Sequence, residues 1–220
     1  MLLDVDGTLA PIVARPELAA VPPETRAELE RLAGLYGLVA CVSGRPADDA
    51  ARLVGVDGIR YVGEHGLELH PDAAAWHDRL TAFAATVDWP AERGKRFTLS
   101  FHYRNADDEQ AAEAELRHVA ERALEEGLRP RWGRKVLEIR PPIDADKGTA
   151  VRTLLHGAGL DRALYAGDDA TDLDAFRGLD GLEVAVRVAV VSEEAPTDLG
   201  LAADLLLGSP AELLELLRQL

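Results

Sequence analysis

Two aspartates stand two residues apart near the start of the chain, in the run Met1-Leu2-Leu3-Asp4-Val5-Asp6-Gly7-Thr8-Leu9. Side chains at positions i and i+2 of a strand point to the same side. If a strand ends at Asp4, both carboxylates can therefore face one site beyond the sheet. That arrangement suits a carboxylate nucleophile with a second acid or base beside it. An Asp-x-Asp-Gly segment alone is also typical of calcium loops and plain turns, so the rest of the chain must decide between these interpretations.

Three further polar segments fall where predicted strands end or predicted helices begin. Ser43-Gly44-Arg45 closes a short apolar run, Lys147 begins a predicted helix, and Asp168-Asp169 follows another apolar run. Ligands of open parallel sheets bind beyond the carboxyl ends of the strands. The four segments together therefore favour one common site over scattered surface polarity.

Each of these residue types suits phosphoryl transfer. Ser43 can donate a hydroxyl hydrogen to a phosphate oxygen, and the amides of a turn that enters a helix can donate more. Lys147 can neutralise charge on the phosphoryl group in the transition state. Asp4 and Asp168, with Asp169 as a further candidate, offer the carboxylate oxygens that a hard cation such as Mg²⁺ prefers. The predicted catalytic residues are Asp4, Asp6, Ser43 and Lys147.

The elements that must position these residues follow an α/β rhythm that is interrupted once. Alternating strands and helices predict a Rossmann-like parallel sheet core, in two segments, 1–72 and 143–220. Between them, residues 73–142 predict an inserted α+β cap. The strands are predicted near 38–42, 59–62, 97–103, 129–132, 135–140, 163–166, 184–188 and 204–207. The helices are predicted near 23–36, 46–53, 73–87, 107–126, 147–156 and 171–176 and from 210 onward, and a hairpin turn at Gly133-Arg134.

Composition excludes several classes of function. The formal net charge of −15 argues against a nucleic-acid binder, because neutralising phosphates requires basic patches. The single cysteine, Cys41, precludes an internal disulfide and disfavours a cysteine zinc site. No apolar run reaches the length of a membrane span, and no leader segment is recognisable. We expect a cytoplasmic monomer that acts on a small molecule, without nucleic-acid or membrane partners.

The four motifs resemble those of the haloacid dehalogenase superfamily of phosphatases, in the same order and at comparable spacing. The resemblance implies that Asp4 is the nucleophile that forms an aspartyl-phosphate. It implies that Asp6 protonates the leaving oxygen and later activates water, and that Ser43 and Lys147 bind the phosphate. It also implies Mg²⁺ ligation by Asp4, Asp168 and the Asp6 position, the last through its carbonyl oxygen.

A narrower resemblance is to the trehalose-6-phosphate phosphatase family. It rests on segments 63–68, 95–104, 133–141 and 167–172, and it departs from the family at Leu173, where a glutamate is common. It implies magnesium-dependent hydrolysis of trehalose 6-phosphate, the last step of trehalose synthesis. Sugar hydroxyls need hydrogen-bonding partners. The implied substrate-binding residues are Arg45 and His65 in the core and Lys95, Ser100, His102, Lys135 and Glu138 in the insert.

Other interpretations stay open at this point. The substrate could be another sugar phosphate or a glycosyl-glycerate phosphate, and a mutase would share the chemistry up to the aspartyl-phosphate. A non-catalytic sugar-phosphate-binding module has no need of both Asp4 and Asp6. Asp169 and Asp172 could equally be helix caps, and His102 and Lys135 could simply cover solvated strand faces.

Overall fold

The computed structural model describes residues 1–13, 18–92, 94–133, 135–192 and 196–220. The chain forms two compact units, Met1–Leu69 with Ala145–Leu220, and His70–Asp144. Arg134, half of the predicted hairpin turn, lies outside the described residues. The predicted domain boundaries after residues 72 and 142 stay a proposal beside these two units.

The first unit is built on a parallel sheet of six strands: β1 (Leu2–Leu3), β2 (Ala40–Val42), β3 (Arg60–Val62), β7 (Arg162–Gly167), β8 (Val184–Val190) and β9 (Leu205–Leu207). Their order across the sheet is β3-β2-β1-β7-β8-β9. The order reverses direction at β1, which lies between β2 and β7. Such a switch point is where ligands of doubly wound sheets bind.

Helices cover both faces of this sheet because alternate residues of each strand point to opposite sides. The helices are α1 (Pro23–Ala33), α2 (Ala47–Val54), α5 (Lys147–Ala158), α6 (Asp172–Gly178), α7 (Thr197–Ala202) and α8 (Pro210–Leu217). Leu3 belongs to the core that packs on α1, α2 and α8. Its neighbour Leu2 belongs to the core that packs on α5, α6 and α7. The two-residue strand β1 is thus fully buried in the middle of the sheet.

The second unit is an antiparallel sheet with helices on one face. It contains α3 (His77–Ala84), β4 (Leu99–His102), α4 (Glu109–Glu125), β5 (Arg129–Gly133) and β6 (Val136–Arg140), with strand order β4-β6-β5. Phe101, Leu137 and Ile139 pack with Leu116 of α4 in its core. The opposite face of the sheet carries Ser100 and His102 of β4 together with Val136, Glu138 and Arg140 of β6, so it is largely polar.

The fold class predicted from the sequence is confirmed: a Rossmann-like parallel sheet together with an α+β module. Three local features differ from the prediction. The helix expected over 73–87 is a 3₁₀ turn (Ala73–Trp76) followed by the shorter helix α3. The turn after β3 continues as 3₁₀ turns within Glu64–Leu69, and helix α7 is not predicted by the sequence. Within the described ranges, no helix is long and apolar enough to cross a membrane.

Candidate active site

The carboxyl ends of three neighbouring strands bring the first site residues together. Asp4 directly follows β1, Ser43 follows β2, and Asp168 follows β7. The backbone N–H of Asp4 donates to the carbonyl of Ala166 at 2.8 Å, which extends the β1–β7 pairing to the predicted nucleophile. All three side chains are buried. The predicted convergence at one sheet edge therefore follows from the strand order.

Lys147 reaches the same place from the first turn of α5. Asp146 caps this helix with a capping box: its carboxylate accepts the N–H of Thr149 at 2.7 Å, and its own N–H donates to Thr149 Oγ1 at 2.9 Å. The ammonium of Lys147 is buried and lies 2.7 Å from Oδ1 of Asp4 and 2.7 Å from Oδ1 of Asp172. The Lys147 ammonium thus lies within hydrogen-bond distance of the predicted nucleophile, Asp4.

Asp172, at the start of α6, is the centre of the hydrogen-bond network. Its Oδ1 also accepts the hydroxyl of Tyr165 at 2.7 Å, and its Oδ2 accepts the N–H groups of Asp168 at 3.0 Å and Asp169 at 2.9 Å. The sequence alone leaves Asp172 open as a metal ligand or a helix cap. The available signal was its spacing, four residues after Asp168, which lets one helical turn bring its side chain back to the strand end.

The buried carboxylates repel one another and are shielded from bulk solvent. Burial raises the pKa of Asp4 to about 7 against the opposing charge of Lys147, with Asp172 adding to the rise. Burial, then the charges of Asp4 and Asp172, raise the pKa of Asp168 to about 9. Burial also disfavours the charged ammonium of Lys147, but Asp172 and Asp4 outweigh it and raise the pKa of Lys147. Three buried carboxyl groups thus face a single buried ammonium group, and a bound metal cation would stabilise their ionised forms.

The same acids form a group that could hold a metal ion. Oxygen atoms of Asp4, Asp168 and Asp172, one from each, lie within 4.8 Å of one another, and all three residues are buried. An all-oxygen donor set suits a hard divalent cation. Because the two oxygens of Asp172 already accept four hydrogen bonds, Asp4 and Asp168 are the better ligand candidates. Among the described residues, the side chains of Asp6 and Asp169 are not part of this group, and the ligand role predicted for them stays a prediction.

Asp6 is held by Arg45. The guanidinium donates two parallel hydrogen bonds, from Nε to Oδ2 and from NH2 to Oδ1, both at 2.6 Å. Such a bidentate pair fixes the carboxylate in orientation as well as in position. The backbone N–H of Arg45 donates to Ser43 Oγ at 3.1 Å. The Ser43 hydroxyl thus accepts one bond and keeps its own hydrogen for donation to a ligand.

A turn with strained backbone after β3 packs against the Ser43-Gly44-Arg45 loop. Glu64, His65 and Gly66 all have positive φ, at 47°, 55° and 94°. The imidazole of His65 lies against Gly44, where a Cβ would stand 2.7 Å from Cε1 of the ring. Left-handed backbone at non-glycine residues is typical of functional sites. His65 therefore lies beside the Ser43-Gly44-Arg45 turn.

Glu68, which sequence reasoning did not select, ties the two loops together. Its carboxylate accepts the N–H of Ala47, the first residue of α2, at 3.0 Å and the N–H of Gly63 at 3.0 Å. The N-cap residue of α2, Pro46, has no side chain that could cap the helix. Glu68 therefore supplies the missing cap and holds the Arg45 loop against the turn that carries His65.

Two glycines let the backbone approach the carboxylates. A Cβ at Gly7, whose φ is +85°, would stand 2.1 Å from Oδ2 of Asp168. A Cβ at Gly167 would stand 2.2 Å from Cγ of Asp172. Both distances are far below any van der Waals contact. The glycines of the Asp-Gly-Thr and Gly-Asp-Asp segments are therefore required by packing against the acids.

In the second unit, the polar sheet face gathers four of the five predicted binding residues. Lys95 donates to Ser100 Oγ at 2.8 Å and lies 3.6 Å from Oε1 of Glu138. Glu92, which sequence reasoning did not select, joins them: its Oε2 lies 3.3 Å from Lys95 Nζ and 3.1 Å from His102 Nε2. The result is a cluster of charged and hydroxyl groups on one face of β4 and β6.

Lys135, the fifth predicted residue of the insert, lies apart from this cluster. Its ammonium pairs with the carboxylate of Glu109 in α4, and this pair raises the pKa of Lys135. Its backbone has a φ of +57°. Its predicted role as a binding residue is thus untested, and its observed partner is Glu109.

Comparison with known proteins points to one family. A family model described as trehalose-phosphatase matches residues 2–92 and 92–200. The trehalose-phosphate phosphatase of Mycobacterium avium is 34% identical over 241 residues, covering 100% of this chain and 61% of that protein. A probable trehalose-phosphate phosphatase 2 of Oryza sativa is 31% identical over 261 residues, with 100% and 67% covered. The chain therefore spans about three fifths of the length of its mycobacterial relative.

Solved structures agree on the fold. The C-terminal domain of a trehalose-6-phosphate phosphatase from C. albicans has a TM-score of 0.76 at 24% identity, covering 99% of this chain and 90% of that one. A haloacid dehalogenase-like hydrolase from Bacteroides thetaiotaomicron has a TM-score of 0.63 at 16% identity, covering 99% and 97%. At such identities the likeness shows the fold alone.

Proposed function

The chain belongs to the trehalose-phosphatase family, and from that premise we propose that it hydrolyses trehalose 6-phosphate to trehalose and phosphate in a magnesium-dependent reaction. One observation carries the proposal. The buried cluster of Asp4, Lys147, Asp168 and Asp172 combines a carboxylate nucleophile, a cation and an acidic group that could hold a metal ion.

Asp4 is the proposed nucleophile. Its carboxylate attacks phosphorus, the bond to the sugar oxygen breaks, and an aspartyl-phosphate forms. An anionic nucleophile and an anionic phosphoryl group repel each other, and the Lys147 ammonium, 2.7 Å from Asp4 Oδ1, offsets that repulsion. Ser43 donates its hydroxyl hydrogen to a phosphoryl oxygen. Water then attacks phosphorus and restores the Asp4 carboxylate.

Asp6 is the proposed proton carrier. It protonates the leaving sugar oxygen in the first step and accepts a proton from the attacking water in the second. Arg45 donates to both oxygens of Asp6, which stabilises the ionised carboxylate that accepts the proton from water in the second step. For the first step, Asp6 must leave this pair and take up the proton that it gives to the leaving oxygen.

Mg²⁺ is the proposed cofactor, held by Asp4 and Asp168, with the backbone carbonyl of Asp6 as the third ligand that the family resemblance implies. The bound ion would supply Lewis-acid stabilisation of the phosphoryl charge. The negative charge left by the three buried acids and one lysine supports this assignment.

Recognition of the sugar is assigned to polar side chains of both units. Two glucosyl rings present hydroxyl groups, which need donors and acceptors in fixed positions. In the second unit, Lys95, Ser100, His102 and Glu138 provide such groups on one sheet face. In the first unit, we assign the same role to His65 beside the phosphate-binding loop, and a phosphate contact to Arg45.

A substrate panel tests the proposal. Phosphate release would be measured from trehalose 6-phosphate, other sugar 6-phosphates and a glycosyl-glycerate phosphate, with Mg²⁺ and after chelation. We expect the highest kcat/KM for trehalose 6-phosphate and loss of activity with chelator. A higher kcat/KM for another ester would reassign the substrate, and activity that survives chelation would contradict the metal role.

A further inference from the structure

Tyr165 is a buried tyrosine whose hydroxyl points at the site although no step of the reaction uses it. It lies in β7, is 0% exposed, and donates from its hydroxyl to Oδ1 of Asp172 at 2.7 Å. Its ring and that of Phe176 in α6 pack in a T-shaped arrangement, with ring centroids 6.1 Å apart and planes at 82°. The aromatic contact holds the ring, so the hydroxyl has a set direction.

The hydroxyl completes the environment of Asp172. Oδ2 accepts two backbone N–H groups of the loop after β7, from Asp168 and Asp169. Oδ1 accepts Tyr165 and Lys147, each at 2.7 Å. A carboxylate with four donors has one orientation available to it. Without the Tyr165 hydroxyl, the oxygen that contacts Lys147 would keep only the flexible lysine as partner.

Lys147 depends on that oxygen. Its ammonium is shared between Asp172 Oδ1 and Asp4 Oδ1, and a lysine side chain has several rotatable bonds and no intrinsic direction. A chain of hydrogen bonds thus runs from Tyr165 through Asp172 and Lys147 to Asp4. Each link is buried, where an ordered bond is stronger than it would be in water.

We propose that Tyr165 is a positioning residue for phosphoryl transfer: its hydroxyl fixes Asp172, which in turn fixes Lys147 against the nucleophile Asp4. The inference rests on the proposed function of this site. Tyr165 touches neither the substrate nor the reacting atoms in this role, and its effect is transmitted by the carboxylate of Asp172.

The test compares Tyr165→Phe with Tyr61→Phe. Both substitutions remove one hydroxyl and keep the ring. Tyr61 lies in β3 of the same sheet and donates to the carbonyl of Val56 at 2.8 Å, with no connection to Asp172 among the described contacts. We expect Tyr165→Phe to lower kcat on trehalose 6-phosphate about tenfold with KM changed by less than about twofold, because a bond to a charged group is lost. Tyr61→Phe should leave both constants within about twofold.

A crystal structure of Tyr165→Phe provides a readout that does not depend on activity. We expect Asp172 or Lys147 to turn away, so that the contact of 2.7 Å between Lys147 Nζ and Asp4 Oδ1 is lost. An unchanged Lys147–Asp4 contact would overturn the inference, as would equal losses of kcat in the two variants. If wild-type protein releases no phosphate from any ester, the proposed function fails, and the crystal structure still decides whether Tyr165 positions Lys147.

Discussion

At the scale of single residues, two neighbouring aspartates differ sharply. Asp172 is fully buried and accepts four hydrogen bonds, including one from Lys147. Asp169 is only partly buried, and its Oδ1 accepts the N–H of the next residue, Ala170. Asp172 therefore holds Lys147 and the loop after β7 together.

Replacing each of these acids by its amide tests that difference. Asp172→Asn places an amide NH₂ where donors already point, and we expect kcat to fall about 100-fold because bonds to Lys147 and to the loop amides are lost. Asp169→Asn should lower kcat by at most about fivefold. The measurement is steady-state phosphate release at saturating substrate. A loss in Asp169→Asn that equals or exceeds the loss in Asp172→Asn would contradict the assignment.

The sequence locates the motifs but leaves open which acids after β7 act in the site. Asp169 adjoins Asp168, but consecutive residues of an extended chain point to opposite sides, and its ligand role stays a prediction. Asp172 was also compatible with a helix cap, and only the folded loop shows that it receives Lys147. Glu92 lies outside the recognised segments, and Glu68 lies at the end of segment 63–68 without an assigned role. The contacts of both residues depend on loop paths that the local sequence does not specify.

At the scale of elements, the position where α5 begins determines where the ammonium group of Lys147 lies. Lys147 is the first residue of the helix, and the capping box of Asp146 and Thr149 sets where the helix begins. A lysine at a helix N-terminus is disfavoured by the helix dipole, which the carboxylates of Asp4 and Asp172 offset. The cap therefore has a role in the site as well as in stability.

Removing two N-caps separates these roles. Asp146→Ala and Asp108→Ala each remove an aspartate that accepts backbone N–H groups, at α5 and at α4. Each should lower the free energy of unfolding by about 1 kcal/mol. Only Asp146→Ala should also lower kcat, by about fivefold or more, because the backbone of Lys147 is then no longer held in place by the cap. The free energy of unfolding of both variants would be measured by urea unfolding, and kcat by phosphate release. Equal kcat values in the two variants would contradict a role of the cap in positioning Lys147.

The elements that the sequence predicted well have strong local patterns. The β2, β3, β7 and β8 regions are short apolar runs between turn residues, and α4 carries a long amphipathic repeat. The elements it missed are short. The six-residue helix α7 and the short 3₁₀ turns within Glu64–Leu69 are too brief for a periodic signal, and the positive φ angles of Glu64 and His65 have no pattern in the sequence.

At the scale of the whole molecule, acid should weaken the fold through Glu92. Burial alone would raise the pKa of the Glu92 carboxyl, but the hydrogen bond to His102 and the charge of Lys95 lower it to about 2 from an ordinary 4.5. A group with a lowered pKa in the folded state stabilises the fold above its unfolded pKa. That contribution is lost as the pH falls from about 4.5 towards about 2.

Glu92→Gln should therefore cost more stability at neutral pH than in acid. We expect a loss of about 2 kcal/mol in the free energy of unfolding at pH 7, which shrinks as the pH falls below about 4.5. Glu113→Gln, which removes an exposed partner of Arg117 in α4, is the matched control and should cost less than about 0.5 kcal/mol. A penalty for Glu92→Gln that does not change with pH would contradict the ion-pair origin of the shift.

The overall architecture was predictable because its signals are repeated along the chain. The alternation of strands and helices, the change of pattern after residue 72 and its return after residue 142 all point to a sheet interrupted by an α+β insert. The order of the strands brings three separate motifs to one site, because β2, β1 and β7 are neighbours, and the start of α5 adds Lys147. The order of strands depends on pairing between distant segments, which local sequence does not specify. The rule that ligands bind at the carboxyl ends of parallel strands nevertheless led to the expected site.

The most direct test of the account is to trap the phosphorylated enzyme. Wild-type protein and Asp4→Asn would each be mixed with trehalose 6-phosphate and Mg²⁺, quenched in acid during turnover, and digested for mass spectrometry. We expect a phosphoryl group on the wild-type peptide that contains Asp4, and neither that modification nor phosphate release in a folded Asp4→Asn variant. Phosphate release by the wild type without a phosphorylated Asp4 peptide, or equal turnover in Asp4→Asn, would contradict the central claim that Asp4 is the nucleophile.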